Sequence, residues 1–333
     1  MRKLRNARRR FAVEWPTILL LAACYALFGT ASFFAADIGY AAALPLMTIA
    51  AALHSSLQHE MLHGHPTRSA AINEALVFIP LPVFYPYRRF KSLHLRHHHD
   101  ERLTDPYDDP ESYYLAGRDH ARLPAWLRVL LQVNNSLAGR LIIGPALMVA
   151  GFYMRDVRAI AAGDRRVIDA WLRHLAGLVP LVLWLELVCG MPVWLYALVP
   201  AYAGLSIIAI RTFCEHRWTG AVDGRTIIVE NAGIMSWLFL NNNLHLVHHA
   251  HPTLPWYVLP ALYRTRRAEW IARNGGYVFD SYLDIARRWL FARKEPVVHP
   301  ALPADVAGHA FVTSPHSTRT LEAASVPASP PSK

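Results

Sequence analysis

Four stretches of the chain are almost continuously apolar, and they come in two pairs. Residues 15–36 and 38–57 are parted only by a turn around Asp37, and residues 171–189 and 193–210 by Gly190-Met191-Pro192. Each is close to the ~20 residues a helix needs to cross a bilayer. The pattern therefore predicts an all-α integral membrane protein with four spans in two hairpins. Pro200 and Gly204 inside the last span are tolerable in a membrane helix, where neighbours re-satisfy the backbone. The basic start and first apolar run also resemble a secretory signal, but the run is long for one and a second follows at once. Two other apolar segments are interrupted, 70–87 by Pro80, Pro82 and Pro86, and 126–154 by Gln132, Asn134, Asn135 and Arg140. They read as helices lying in the membrane interface. From Glu295 the chain turns to Pro, Ala, Ser and Thr without periodicity, which predicts disorder. The expected organisation is a basic N-terminus over 1–14, a membrane domain over 15–294 and a tail over 295–333.

Charge gives the orientation. Of the 333 residues only 17% are charged, and the net charge is +10. Nucleic acid binding is excluded as the reason, because the Lys and Arg collect beside apolar runs, where they suit an anionic inner leaflet. Six of the first ten residues are basic, whereas the turns at Asp37 and Gly190 have no Lys or Arg. Positive-inside bias then places both termini and the segment 66–170 in the cytoplasm, in a plasma or inner membrane. Cys24, Cys189 and Cys214 form no disulfide or CxxC framework.

The polar positions that remain are dominated by histidine. HEMLH places His59 and His63 at i and i+4; HLRHH places His94, His97 and His98 at i, i+3 and i+4; HLVHH repeats that spacing with His245, His248 and His249. On helices these offsets put the imidazoles within one turn of each other, and neutral imidazole is the commonest protein metal ligand. Eight such residues exceed what one tetrahedral zinc uses, so the pattern predicts more than one metal ion. The hairpin topology sends all three clusters to the cytoplasmic side as a histidine-rich cap. Single histidines are ordinarily just hydrogen-bonded, and His54, His120, His174, His299, His309 and His316 are read so. HEMLH also matches the HExxH metalloprotease signature with Glu60 as base, but that motif is short and leaves six matched histidines unused. Metal storage or transport is disfavoured because the central spans lack ionisable residues.

Together these boxes make the chain similar to the membrane fatty-acid desaturase superfamily, which includes alkane hydroxylases and carotenoid ketolases and hydroxylases. The likeness covers roughly residues 15–290, extends to Asp105-Pro106, Asp108-Asp109-Pro110 and Asn242-Asn243-Leu244-His245, and is nearest in feel to bacterial desaturase-like hydrocarbon oxygenases. The resemblance implies a non-haem diiron centre (two iron ions, with O2 as co-substrate) oxidising an unactivated C–H bond of a lipid or acyl chain. It also implies a ninth histidine between the last span and the final box, for which His216 is the candidate. Acyl-CoA desaturases carry an Asn four residues before that histidine, assisting one metal through water; here the position is Thr212. Desaturation of a fatty acyl chain is the first expectation, and hydroxylation or ketolation of an alkyl chain or carotenoid the alternative.

Imidazole suits iron, zinc and copper alike, and oxygen chemistry favours iron because zinc has no redox change to offer. Carboxylates should orient the rings; Glu60, Asp100, Asp105, Asp109, Glu215 and Glu230 are available, and Asn241 is a further candidate for the metal's surroundings. The chain has no haem, ferredoxin-cluster or nucleotide-binding fingerprint, so electrons are expected from outside. A small acidic ferredoxin or rubredoxin, with its reductase, fits a basic cytoplasmic face.

Overall fold

The computed structural model of the protein describes residues 13–99 and 103–303, with His99 described in its backbone only. The basic start 1–12 lies outside that range. Among the described residues four helices are long and apolar enough to span a bilayer, as the hydropathy pattern predicts. In chain order the elements that matter are α1 (Trp15–Phe33), α2 (Tyr40–Leu62), α3 (Tyr87–His99), α4 (Ala125–Asn134), α5 (Gly144–Ala161), α6 (Arg165–Val188), α7 (Val193–Thr212), α8 (His245–Ala250) and α9 (Tyr282–Trp289). The one strand pair is minimal: β1 (Ile228–Val229) lies parallel to β2 (Val278–Phe279).

The spans begin where their sequences supply caps. Pro16 sits in the first turn of α1, where a missing N–H costs nothing. Asp164 caps α6 by accepting from the amides of Arg166 and Val167. The amide of Val193 at the start of α7 donates to Glu186 Oε1 at 2.7 Å. Small residues bring α2 and α7 together. Ala50, Ala51 and Ala52 are fully buried, and a Cβ at Gly204 would lie 3.1 Å from that of Ala51. Close backbone approach over small side chains is how membrane helices pack without a hydrophobic driving force between them.

Residues 70–87 differ from the expected interfacial helix. Only Ala70–Leu76 is helical; the three prolines then hold the backbone irregular up to Tyr87. This stretch is pressed against the bundle, and the bundle supplies donors for its carbonyls. Tyr25 on α1 donates to Leu76 O and Ile79 O at 3.2 and 3.1 Å, and Tyr196 on α7 to Leu81 O at 2.7 Å. His174 on α6 meets Val83 O at 2.8 Å, and Tyr153 on α5 donates to Phe84 O at 3.0 Å. Non-helical backbone survives at membrane depth only when protein satisfies it in this way. Segment 126–154 resolves into α4, a short helix over Leu137–Ile142 and the start of α5, and α4 exposes Trp126, Val129 and Val133, an apolar face of the kind that rests in an interface.

At the turn end of the bundle Trp184 on α6 donates to Ser32 on α1 at 2.9 Å. At the other end the strand pair packs on α8 through Ile228, Leu246 and Val247, and on α9 through Val229, Phe279 and Ile285. The ordered part of the chain outlasts its compositional boundary. Residues 295–303 are held through Leu115 N to Val297 O at 2.9 Å, Gly117 N to Leu302 O at 2.8 Å and His299 N to Leu115 O at 2.8 Å. Hydrogen-bonded pairing with 115–117 replaces the disorder expected of them, while 304–333 lie outside the described residues.

Gly177 on α6 presses against the irregular stretch so closely that an added Cβ would fall 2.2 Å from Phe78 O, a backbone atom with nowhere to move. Gly177→Ala is therefore expected to destabilise the protein by about 1–3 kcal/mol, the usual range for overpacking. Gly29→Ala on α1, with nothing within 4 Å of its new methyl group, should leave the thermal unfolding midpoint in detergent unchanged. Equal midpoints for both variants would show that the 77–86 segment is not pinned.

Candidate metal centre

Nine imidazoles converge at the end of the bundle remote from the short turns, in two adjacent groups. His59 and His63 on α2, His94 and His98 on α3 and His248 on α8 form one; His97 on α3, His216 after α7, and His245 and His249 on α8 form the other. Within each group the ring nitrogens lie within 4.8 Å of one another. In the first group Nε2 of His94 is 2.9 Å from that of His59, 3.2 Å from His63 and 3.0 Å from His98, and His98 is 3.1 Å from His248. In the second, His216 is 3.1 Å from both His97 and His245, and His245 is 3.2 Å from His249. All of the residues the histidine spacing and the resemblance single out are thus brought together.

These contacts are not ordinary hydrogen bonds. Nδ1 of His94 faces Glu111 Oε1 at 2.7 Å and Nδ1 of His97 faces Asp109 Oδ1 at 2.8 Å. A neutral ring has one proton; donated there, it leaves Nε2 as a bare lone pair aimed at its neighbours. Lone pairs about 3 Å apart repel unless a cation lies between them. The spacing is what nitrogens about 2.1 Å from a common metal ion would show. Burial first, and then the charge of neighbouring histidines, holds His63, His216, His245, His248 and His249 well below the ordinary imidazole range, so they present neutral ligands. For His97 burial acts the same way, but Glu111 and Asp109 outweigh it and raise the ring to about 9. The donor set therefore fits a pair of divalent transition-metal ions.

The helix spacing explains the partition. Residues i and i+4 share a face, while i+3 lies about 100° from i+4 around the axis. Accordingly the i, i+4 pairs His59/His63 and His94/His98 serve the first group and His245/His249 the second. The i+3 residues His97 and His248 cross to the other group. The stacked rings of His98 and His249, 4.1 Å between centroids, lie where the two groups meet. A cavity of about 360 Å³, lined in part by His97, His98, His249, Thr226 and Arg273, leads to them from outside.

The surrounding groups follow the sequence reading in part. Asp109 reaches His97 and also caps the turn before it through Thr104 N at 2.8 Å. Glu215 lies 3.6 Å from His245 Nδ1 and pairs with Arg211 at 2.7 Å; burial raises its carboxyl despite that guanidinium. Asn241 needs correction. Leu240 and Asn241 take left-handed φ of 51° and 56°, which turns Asn241 toward Trp256 O and presents Asn242 to His245 Nδ1 at 2.8 Å. Glu60 also points away, accepting from Trp256 N at 2.8 Å with His65 beside it at 4.0 Å, so it is not placed as a protease base. Asp105 caps its own turn through Tyr107 N and Asp108 N. Glu230 binds Arg267 and Tyr263, and Asp100 is outside the described residues. Glu111 was not singled out in sequence; it closes the acidic run after the second box. Thr212 Oγ1 is buried without a hydrogen-bond partner.

A membrane-embedded bundle with histidine clusters compatible with a diiron site defines a class of lipid-modifying oxidoreductase. The chain matches the family model of fatty acid desaturases over residues 38–281, a span containing all nine histidines, and it belongs to that family. No curated protein matches it significantly. The family acts on lipid chains in membranes.

Outer partners of metal-bound histidines typically contribute 10–100-fold to metal affinity. Asp109→Asn is expected to weaken metal retention by that factor in a chelator titration, and Glu60→Gln to leave it unchanged. Equal loss in both variants would mean that neither carboxylate acts through a ring.

Proposed function

We propose that the protein is a membrane-bound non-haem diiron oxidoreductase catalysing O2-dependent desaturation of a fatty acyl chain. The observation that carries the reading is the convergence of nine Nε2 lone pairs into two adjoining groups at the end of a four-span bundle. His59, His63, His94, His98 and His248 would hold one iron, and His97, His216, His245 and His249 the other. An iron pair in neutral imidazole surroundings supplies dioxygen activation and C–H oxidation. Around it, the chain keeps the rings neutral by burial and fixes their tautomers through Glu111, Asp109 and Asn242. All of this sits where the spans α2 and α7 leave the bilayer, within reach of a lipid chain.

Positive-inside bias supports a plasma or inner membrane location with both termini and the metal centre cytoplasmic. Electrons would come from a small acidic ferredoxin or rubredoxin with its reductase. Arg264, Arg266, Arg287 and Arg288 are exposed on the same cap, and such a basic face steers an acidic partner.

The test is a metal count on the purified protein followed by lipid analysis. Two irons per chain are expected, reduced in both His97→Ala and His248→Ala, since the variants empty different groups. Cells expressing the wild type aerobically should accumulate acyl chains short of two hydrogens. A product that instead gains one oxygen would replace desaturation by hydroxylation. A single metal retained in both variants would overturn the dinuclear reading itself.

A further inference from the structure

The nine rings differ in what holds them from behind. Nδ1 of His94, His97 and His245 each has a partner, but His216 Nδ1 is buried and makes no hydrogen bond among the described residues. His216 also stands on the segment after α7, not within a helix. Its backbone, by contrast, is tightly held. The carbonyl accepts from Lys294 Nζ at 2.9 Å, and Tyr113 Oη, 2.9 Å from it and 3.0 Å from Glu295 Oε2, shares its one proton between the two. Lys294 Nζ donates as well to Phe213 O at 3.0 Å and to Tyr113 Oη at 3.0 Å. The three protons of the ammonium are thus shared among four acceptors within 3.0 Å, Glu295 Oε1 being the fourth. Its side chain is only 3% exposed, and Glu295 Oε1 provides the counter-charge at 2.9 Å.

A buried lysine is expensive unless paired and bonded, and this one comes from a stretch whose composition marks the start of a tail. Lys294 N donates to Asn135 O at 2.9 Å, and Asn135 Nδ2 to Glu295 O, so the lysine is delivered to its place by the backbone. Fixing a carbonyl fixes its peptide plane and hence the direction of the Cα–Cβ bond. We infer that Lys294, assisted by Tyr113, is the positioning residue for His216: it aims through the main chain a ligand that no side chain aims through the ring. The segment beginning at Lys294 then belongs to the metal centre's scaffold. This inference rests on the dinuclear reading above.

The test uses the full chain in detergent, stripped of metal and titrated with cobalt(II). Lys294→Met is combined with Glu295→Gln so that no buried carboxylate loses its cation. Tyr113→Phe is made separately, removing one donor while keeping the ring. Two equivalents should bind to the wild type. In the variants one equivalent should weaken at least tenfold, the loss matching that of His216→Ala, while the other binds as before. General loosening of the structure would weaken both equivalents together, and that result overturns the inference, as does wild-type binding of both. If the double variant fails to fold, Tyr113→Phe alone decides by the same outcomes. Fewer than two equivalents in the wild type would defeat the dinuclear reading, on which the inference stands.

Discussion

The structure turns on the opposition of lone pairs. Nine imidazoles, seven of them buried and His98 and His249 half-buried, with nitrogens about 3 Å apart are an arrangement that neutral rings would not adopt for their own sake. Every feature around them keeps the arrangement from relaxing. Glu111 and Asp109 take the protons that would otherwise bridge the rings. Burial disfavours protonation of His63, His216, His245, His248 and His249. Helices α2, α3 and α8 fix the Cβ directions in steps of one turn. A cation held among the nitrogens of each group would make these features mutually consistent.

The membrane sets the second constraint, and it acts on the backbone. Helices satisfy themselves, so α1, α2, α6 and α7 need only small residues to pack. The irregular 77–86 stretch cannot, and an unmet carbonyl there would cost about several kcal/mol. Tyr25, Tyr153, His174 and Tyr196 answer it from four helices. That lattice also ties α3 to the bundle: the stretch leads directly into Tyr87, and α3 carries three of the nine rings. Lipid-depth hydrogen bonding and metal geometry are therefore mechanically continuous.

What could be read in the sequence follows from how local each signal is. The spans were legible because hydropathy over a window suffices, and the eight box histidines because their spacing lies within single helices. His216 has no local pattern and entered only through resemblance. That Asn242 and not Asn241 contacts His245 is a matter of backbone detail, since two consecutive left-handed residues turn Asn241 toward Trp256 O. Glu111 could have been found only by knowing that the acidic run folds back over α3. The order of residues 295–303 was illegible for a related reason. Their composition is poor in apolar residues, and what holds them is backbone pairing with 115–117 and one buried lysine.

The two halves of the centre are built alike but supported differently, and the difference follows from the HxxHH unit. Each of α3 and α8 gives an i, i+4 pair to one group and its i+3 ring to the other, so the two helices alone supply three rings to each. The remaining positions must come from elsewhere. The first group draws on His59 on α2 and on His63 at the C-cap of that helix, so all of its rings stand on helices or at a helix end. The second has only His216, which stands outside any helix in a single antiparallel bridge to Thr226. A pair of histidine groups assembled by repeating one helical motif thus leaves one corner that helix geometry cannot fill. That corner is where the chain uses main-chain hydrogen bonds, a buried cation and a segment remote in sequence.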